Sequence, residues 1–314
     1  MKIVMGTMTI GNQADADTGS TMLDRFIDAG YTEFDTAYVY NQGKTETILG
    51  ELLVDKSWAD NIAIAGKANP KEPGGLSAAG IEKQLSTSLD RIRRKQFDLF
   101  YLHEPDLDTP IDETLAAIDS AHRNGQLAGF GLSNYAAWQV AQIYERCEKN
   151  GWLKPTVYQG MYNAITRDVE RELFKCLTDY NMAFYAYNPL AGGLLTGKYQ
   201  NTDTLPDSGR FSYHKGYPDR YWKDDNHRAV ATIRRACREL DMPVVNAALG
   251  WMLHHSPLAK GNADHAVILG ASSVTQLEQN LAACKQGPLN SELVDAIDEA
   301  WEMCRPTCMK YFRP

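Results

Sequence analysis

The sequence predicts an α/β protein, a (β/α)8 barrel with long loops at its active face and a C-terminal extension, forming one domain over residues 1–314. Three observations carry this. Eight short apolar runs alternate with amphipathic stretches of helical period. No linker-like break, internal repeat or low-complexity tract interrupts them. The length, 314 residues with 44% hydrophobic and 23% charged, is ordinary for one such barrel or for two smaller domains. A doubly wound sheet is the alternative, but no G-x-G-x-x-G follows the first strand.

In order, the strand signals are KIVM, YTEFD, NIAIAGK, FDLFYLH, LAGFGLS, TVYQG, MAFYAY and AVILG. Between them, Ile81, Leu85, Leu89 and Ile92 recur at helical spacing, as do Ile111, Leu115 and Ile118. The segment from about Leu190 to Asp225 is rich in Gly, Asp, Tyr and Arg and shows no period, which marks a long functional loop. The tail after Trp301 carries Arg305, Lys310, Tyr311 and Arg313 and reads as an ordered extension.

A net charge of −8 argues against nucleic acid or an anionic membrane as main partner. No apolar run approaches a bilayer span, and the first residues do not read as a signal peptide. The six cysteines are scattered without a C-x-x-C, which suits reduced thiols in the cytoplasm. The histidines show no metal-site spacing, so no metal is expected; His254 and His255 read as a helix cap.

In a barrel the strand ends build the active face. Here they carry Asp35, Lys67, His103, Ser133 with Asn134, Gln159, and Tyr187 with Asn188. A buried acid, a lysine, a histidine and a phenol make a device for protonating a carbonyl that receives hydride. A free tyrosine has a pKa near ~10. A lysine cation about 4 Å away in an effective dielectric of about 20 attracts the phenolate by roughly 4 kcal/mol before desolvation, and so is expected to lower that pKa. An aspartate would keep the lysine charged, and a histidine would orient the carbonyl.

At these residues the chain resembles the aldo-keto reductases, whose fold is the TIM barrel. Their D-x-A-x-x-Y reads Asp35-Thr36-Ala37-Tyr38-Val39-Tyr40, followed by Lys67 in AGKANP and His103 in YLHEPD. The resemblance implies that Asp35, Tyr40, Lys67 and His103 are catalytic, with Tyr40 as the acid and Tyr38 lining the substrate pocket or packing beside it. It implies NADPH as cofactor: Ser133, Asn134 and Gln159 on the nicotinamide carboxamide, Tyr187 under the ring, and the loop Asn188, Leu190, Gly192, Gly193, Leu194 and Lys198 over the pyrophosphate with Arg210. Gly192-x4-Gly197-Lys198 mimics a P-loop, but Tyr199 stands where a magnesium-binding Ser or Thr would be. After the last strand, Ser272, Gln276 and Asn280 would hold the adenosine 2′-phosphate and adenine. There the chain departs from the pattern, because Gly270 and Gln276 stand where many members carry Lys and Arg.

DTAYVYNQGKTETILGELL, PTVYQGMYNAITRDVERELF and FYAYNPLAGGLLTGKY resemble the aflatoxin-aldehyde reductase branch. That implies dialdehydes and succinic semialdehyde-like substrates, a homodimer, and a pocket of Tyr217, Arg220 and Arg313 in which the arginines take a carboxylate. A second reading is a regulatory subunit that binds the cofactor and turns over little. A third is a reductase of a sugar or a specialised ketone.

Overall fold

Strand alternation organises this protein, described here from a computed structural model covering residues 1–199, 202–207, 209–213, 216–261 and 264–313, with Tyr213 as backbone alone. His214 and Pro314 lie outside the described residues. The eight strands are β1 (Lys2–Gly6), β2 (Glu33–Asp35), β3 (Ala63–Ala68), β4 (Phe97–Leu102), β5 (Leu127–Ser133), β6 (Val157–Met161), β7 (Ala183–Tyr187) and β8 (Ala266–Gly270). They pair in parallel in that order, and β8 returns to β1 to close the barrel. Each sequence-predicted strand is present.

The helices follow as a parallel barrel requires. They are α1 (Ala16–Asp28), α2 (Lys44–Leu53), α3 (Ala78–Ile92), α4 (Ile111–Arg123), α5 (Ala137–Asn150), α6 (Leu173–Asp179), α7 (Arg210–Tyr213), α8 (Gly216–Tyr221), α9 (Asp224–Glu239), α10 (Val244–His254), α11 (Val274–Cys284) and α12 (Ser291–Cys304). Caps set several starts: Asp15 accepts from Thr18 N at 2.9 Å, and Asn290 accepts from Leu293 N at 3.0 Å. Ile81, Leu85, Leu89 and Ile92 form the buried stripe of α3, and Leu115 and Ile118 that of α4. No helix among the described residues is long and apolar enough to cross a membrane.

One apolar cluster fills the space between strands and helices, and a smaller one fills the lumen. The lumen holds Val4, Tyr101, Val157, Tyr185 and Ile268, with Ala65 and Leu99 against them. These are alternate residues of their strands, as the pleat demands. Gly131 makes room for the Tyr101 ring, since a Cβ there would come within 2.5 Å of it.

The segment after β7 is not the aperiodic loop expected from sequence. It contains a 3-10 turn (Ala191–Thr196), then α7 and α8. Its aromatics pack on one another: Phe211 stacks edgewise on Tyr199 at 5.4 Å and on Trp222 at 5.0 Å. A core made of a segment's own side chains leaves no helical stripe to read.

The histidine pair does more than cap α10. His254 contacts the Gln286 carbonyl through Nε2 at 2.8 Å, and His255 Nε2 accepts from Leu289 N at 2.8 Å, so the pair ties α10 to the link before α12. All six cysteines are unpaired thiols.

Candidate active site

Asp35, Lys67, His103, Ser133, Gln159 and Tyr187 are each an even number of residues along their strand from a lumen-lining position. Alternation therefore carries them all to one mouth of the barrel. Lys67 lies deepest. Its ammonium has three N–H bonds and meets three acceptors: Asp35 Oδ1 at 2.5 Å, the Thr36 carbonyl at 2.5 Å and the Tyr40 hydroxyl oxygen at 3.4 Å. Burial pulls its pKa down and the Asp35 charge pulls it back. The full set of acceptors favours the charged form. The second oxygen of Asp35 accepts from Gln159 Nε2 at 2.7 Å.

Tyr40 opens the 3-10 turn Tyr40–Gly43 that follows β2. Asn41, at φ 50°, pins that turn by donating to the Met8 and Ile10 carbonyls at 2.9 and 3.0 Å. The pKa of Tyr40 runs against the sequence argument. Burial, then the Asp35 charge, holds the phenol well above 10, and Arg210 opposes them. The reason is local: Asp35 already neutralises Lys67 at 2.5 Å, so the pair offers the phenolate little net attraction.

His103 stands beside Tyr40, ring centroids 6.1 Å apart and edge-on. Its main-chain N–H donates to Ala68 O at 2.9 Å, and Asn134 Nδ2 donates to its carbonyl at 2.8 Å. Burial, with the charges of Lys67, Arg313 and Lys71, holds the imidazole well below 6.5. With the Asn69 amide 3.5 Å from Nδ1, the hydrogen of the neutral ring is assigned to Nε2.

Tyr38 is not in this group. Its ring lies under the Arg91 guanidinium at 4.5 Å, and Arg91 also donates to Tyr38 O and to Glu46 Oε2, both at 3.1 Å. The backbone turns helical at Val39, φ −85°, ψ −8°, which breaks strand alternation between the two tyrosines: Tyr40 faces Lys67, and Tyr38 faces Arg91 of α3.

The expected cofactor residues fall into three places. Asn134, held at φ 64°, accepts from the Tyr187 hydroxyl at 2.8 Å and donates to Ser133 Oγ at 3.0 Å. Gln159 sits with them but spends its amide on Asp35. In the second place, Asn188 at φ 56° and, past Leu190, the residues Ala191, Gly192 and Gly193 hold left-handed backbone. Asn188 Oδ1 accepts from Tyr217 at 2.9 Å, while its Nδ2 is buried without a partner among the described residues. A Cβ on Gly193 would touch nothing within 4 Å. Leu194 is fully buried, so it can offer a ligand its backbone alone, and Lys198 is exposed over the Tyr199 ring. In the third place, Ser272 N and Oγ both donate to Gln276 Oε1, at 3.1 and 2.9 Å, in the first turn of α11. Asn280 is buried and donates to Gly270 O at 3.4 Å, so it shapes the turn instead of facing outward. An unpartnered buried amide, open space over a glycine turn and a helix N-terminus fit a dinucleotide with its phosphates.

Tyr217 has two guanidinium groups against its ring, Arg210 and Arg220, each 5.2 Å from the ring centre. Arg210 also reaches Met8 Sδ at 3.6 Å, on the β1 side near Tyr40. Arg220 has no carboxylate within ion-pair distance among the described residues. Arg313 does have one: its Nη1 donates to Glu104 Oε2. The tail is ordered, as expected. Tyr311 OH donates to Glu172 Oε1 at 2.6 Å and accepts from Ala137 N at 2.9 Å, and Arg313 N donates to Asn134 O at 2.9 Å.

Sequence reasoning passed over the Thr36 carbonyl, Asn69 and Glu104. Asn69 is two residues beyond Lys67, so strand alternation could have found it. Glu104 is the acid beside the histidine in YLHEPD. Among the described residues, no group of His, Cys, Asp or Glu is placed to hold a metal ion.

The sequence matches the Aldo/keto reductase family over residues 2–302. It is 48% identical to human "Aflatoxin B1 aldehyde reductase member 2" over 99% of this chain and 89% of that protein. It is 47% identical to human "Aldo-keto reductase family 7 member A3" over 99% and 96%, and 34% identical to "Aldo-keto reductase pigE" of Monascus ruber over 93% and 89%.

Proposed function

This chain belongs to the aldo/keto reductase family, and on that footing we propose that it reduces aldehydes to alcohols with NADPH, using Tyr40 as the acid. Its class is an oxidoreductase working between carbonyl and alcohol. When bound, the nicotinamide supplies the hydride.

The observation that carries the reading is the saturation of Lys67. Its third N–H occupies an acceptor position of the Tyr40 oxygen. The phenol's own hydrogen is then directed away from Lys67, toward a substrate carbonyl at the mouth. As negative charge grows on that oxygen, Tyr40 releases its proton to it, and the Lys67 N–H stays on the Tyr40 oxygen as a hydrogen-bond donor. Asp35 and Gln159 hold Lys67 in place. A neutral His103 donates to the same carbonyl oxygen through Nε2 and fixes its direction.

Ser133, Asn134 and Tyr187 are suited to the nicotinamide end, and residues 188–198 to the pyrophosphate. The first turn of α11, with Ser272 and Gln276, supports NADPH over NADH by hydrogen bonds and helix dipole without a cation. For substrates, uncompensated Arg220 beside Tyr217 suits aldehydes with an anionic far end, such as succinic semialdehyde, alongside dialdehydes and aromatic aldehydes.

The test follows NADPH consumption with succinic semialdehyde and with 4-nitrobenzaldehyde, for wild type and Tyr40→Phe. Turnover that vanishes in Tyr40→Phe while NADPH still binds supports the reading. No turnover of either aldehyde by the wild type removes it.

A further inference from the structure

Glu104 directly follows His103, and its side chain is 5% exposed. A carboxylate withdrawn from water needs cations. This one has two. Arg313 donates to Oε2, and Lys71 Nζ lies 2.8 Å from Oε1. Lys71 is 74% exposed and Arg313 39%, so water weakens the Lys71 contact more.

Arg313 does not need Glu104 to reach the mouth. Its main-chain N–H is fixed on Asn134 O, and Tyr311 is buried against Glu172 and Ala137, with its own N–H on Asp168 Oδ2 at 3.2 Å. The backbone delivers the guanidinium; Glu104 decides what it faces. Arg220, by contrast, lies on an aromatic ring with no acid beside it among the described residues. Tyr187 registers all three charges. Its hydroxyl donates to Asn134, whose carbonyl holds Arg313 N, and the next residue, Asn188, accepts from the hydroxyl of Tyr217, whose ring carries Arg220. Burial raises its phenol; Arg220 and Arg313 accordingly lower it, and Glu104 raises it.

We propose that Glu104 is a specificity-determining residue, an internal carboxylate that occupies Arg313 so that a substrate carboxylate meets one uncompensated guanidinium, Arg220, instead of two. Arg313 keeps N–H donors to spare, but its net charge is cancelled, and most of the pull on a carboxylate is lost with it. The enzyme therefore accepts carboxylated aldehydes less well than its arginines alone would predict, and gives relatively more of its capacity to uncharged ones. This deepens the reductase reading and takes the location of the substrate from it.

The test uses Glu104→Gln and a matched pair, 4-carboxybenzaldehyde and 4-nitrobenzaldehyde, alike in outline and different in charge. Gln keeps the size of Glu and an acceptor for Arg313. The expected result is a fall of about tenfold in KM for the carboxylated aldehyde, with less than about twofold change for the nitro compound. Equal changes in the two, or none, overturn the proposal. Glu104→Ala, which frees Arg313 altogether, is expected to move in the same direction. A readout independent of turnover is the binding of benzoate against benzamide to the NADP-loaded protein, followed by tryptophan fluorescence. Benzoate alone is expected to tighten in Glu104→Gln. Unchanged benzoate affinity overturns the role of Glu104 even if no aldehyde is turned over, whereas failure of the wild type on both aldehydes with tightened benzoate removes the reductase reading and leaves Glu104 in place.

Discussion

Gln159 donates its side-chain amide to Asp35 Oδ2 at 2.7 Å, joining β6 to β2 across the lumen. With Lys67 on the other oxygen, both carboxylate atoms are held. Gln159→Leu leaves one of them without its donor in a buried site, which is expected to lower unfolding free energy by about 1–3 kcal/mol in a urea titration. If the amide serves Asp35, stability drops while affinity for the dinucleotide stays within about twofold. The reverse pattern would return Gln159 to the nicotinamide carboxamide.

Tyr40 and Tyr38 are separated by one residue and face different partners, Lys67 and Arg91. Tyr40→Phe is expected to reduce kcat by about 10²–10⁴-fold, the range for a positioned acid, with dinucleotide affinity unchanged. Tyr38→Phe is expected to keep activity. Similar losses in both would undo the assignment.

The pH profile follows from two opposite displacements. Tyr40 is held well above 10 and His103 well below 6.5, both by burial first. Protonated phenol and neutral imidazole therefore coexist from about pH 6.5 to 10, and kcat/KM for reduction is expected to be flat across that span. A limb with its midpoint near 7–8 would show that another group controls the proton. For stability the sign is as follows. Below about pH 6.5 the unfolded chain protonates His103 and the folded one does not, so stability is complete above that value and declines as pH falls toward the folded pKa. The slope from this residue is at most about 1.4 kcal/mol per pH unit. His103→Gln is expected to flatten the acid side of a Tm–pH curve, and an unaltered curve would mean that His103 takes up a proton freely.

The Tyr311 hydroxyl joins Ala137 to Glu172 and is the hinge pin of the tail. Tyr311→Phe removes both bonds from a buried position, at a cost of about 1–3 kcal/mol by thermal or urea unfolding. Because Arg313 and Asn134 follow Tyr311, KM for the aldehyde is expected to rise with it. A change in stability without any change in KM would separate the tail from the site.

Arg220→Ala tests the far end of the substrate. KM for succinic semialdehyde is expected to rise about tenfold and that for an uncharged aldehyde much less. Parallel changes would remove Arg220 from carboxylate recognition.

The barrel and the polar residues at its strand ends were legible for the same reason, period two, whereas Tyr40, in the turn after β2, was legible only from the D-x-A-x-x-Y resemblance. Asp35, Lys67, His103, Gln159 and Tyr187 share the phase of their strands, and a phase can be read from one dimension. Relations that depend on which neighbour gets there first could not be read. Gln159 is taken by Asp35, Arg313 by Glu104, and Lys67 is neutralised before it can act on the Tyr40 pKa; each is a competition decided by distances of 2–4 Å between residues far apart in sequence. The segment from Leu190 to Asp225 was opaque for another reason. Its aromatic side chains satisfy one another, so no stripe marks α7 or α8.

Arg313, whose N–H closes on Asn134 O, is translated after every strand and helix of the barrel. A chain ending just after Thr307 would contain every one of those elements, and a premature stop codon there would yield a product that looks native by circular dichroism. Its mouth would nonetheless lack the strap on which Asn134 rests. Signals that report folding and signals that report a working site would part company there, and screens that rely on the first would pass a defective enzyme.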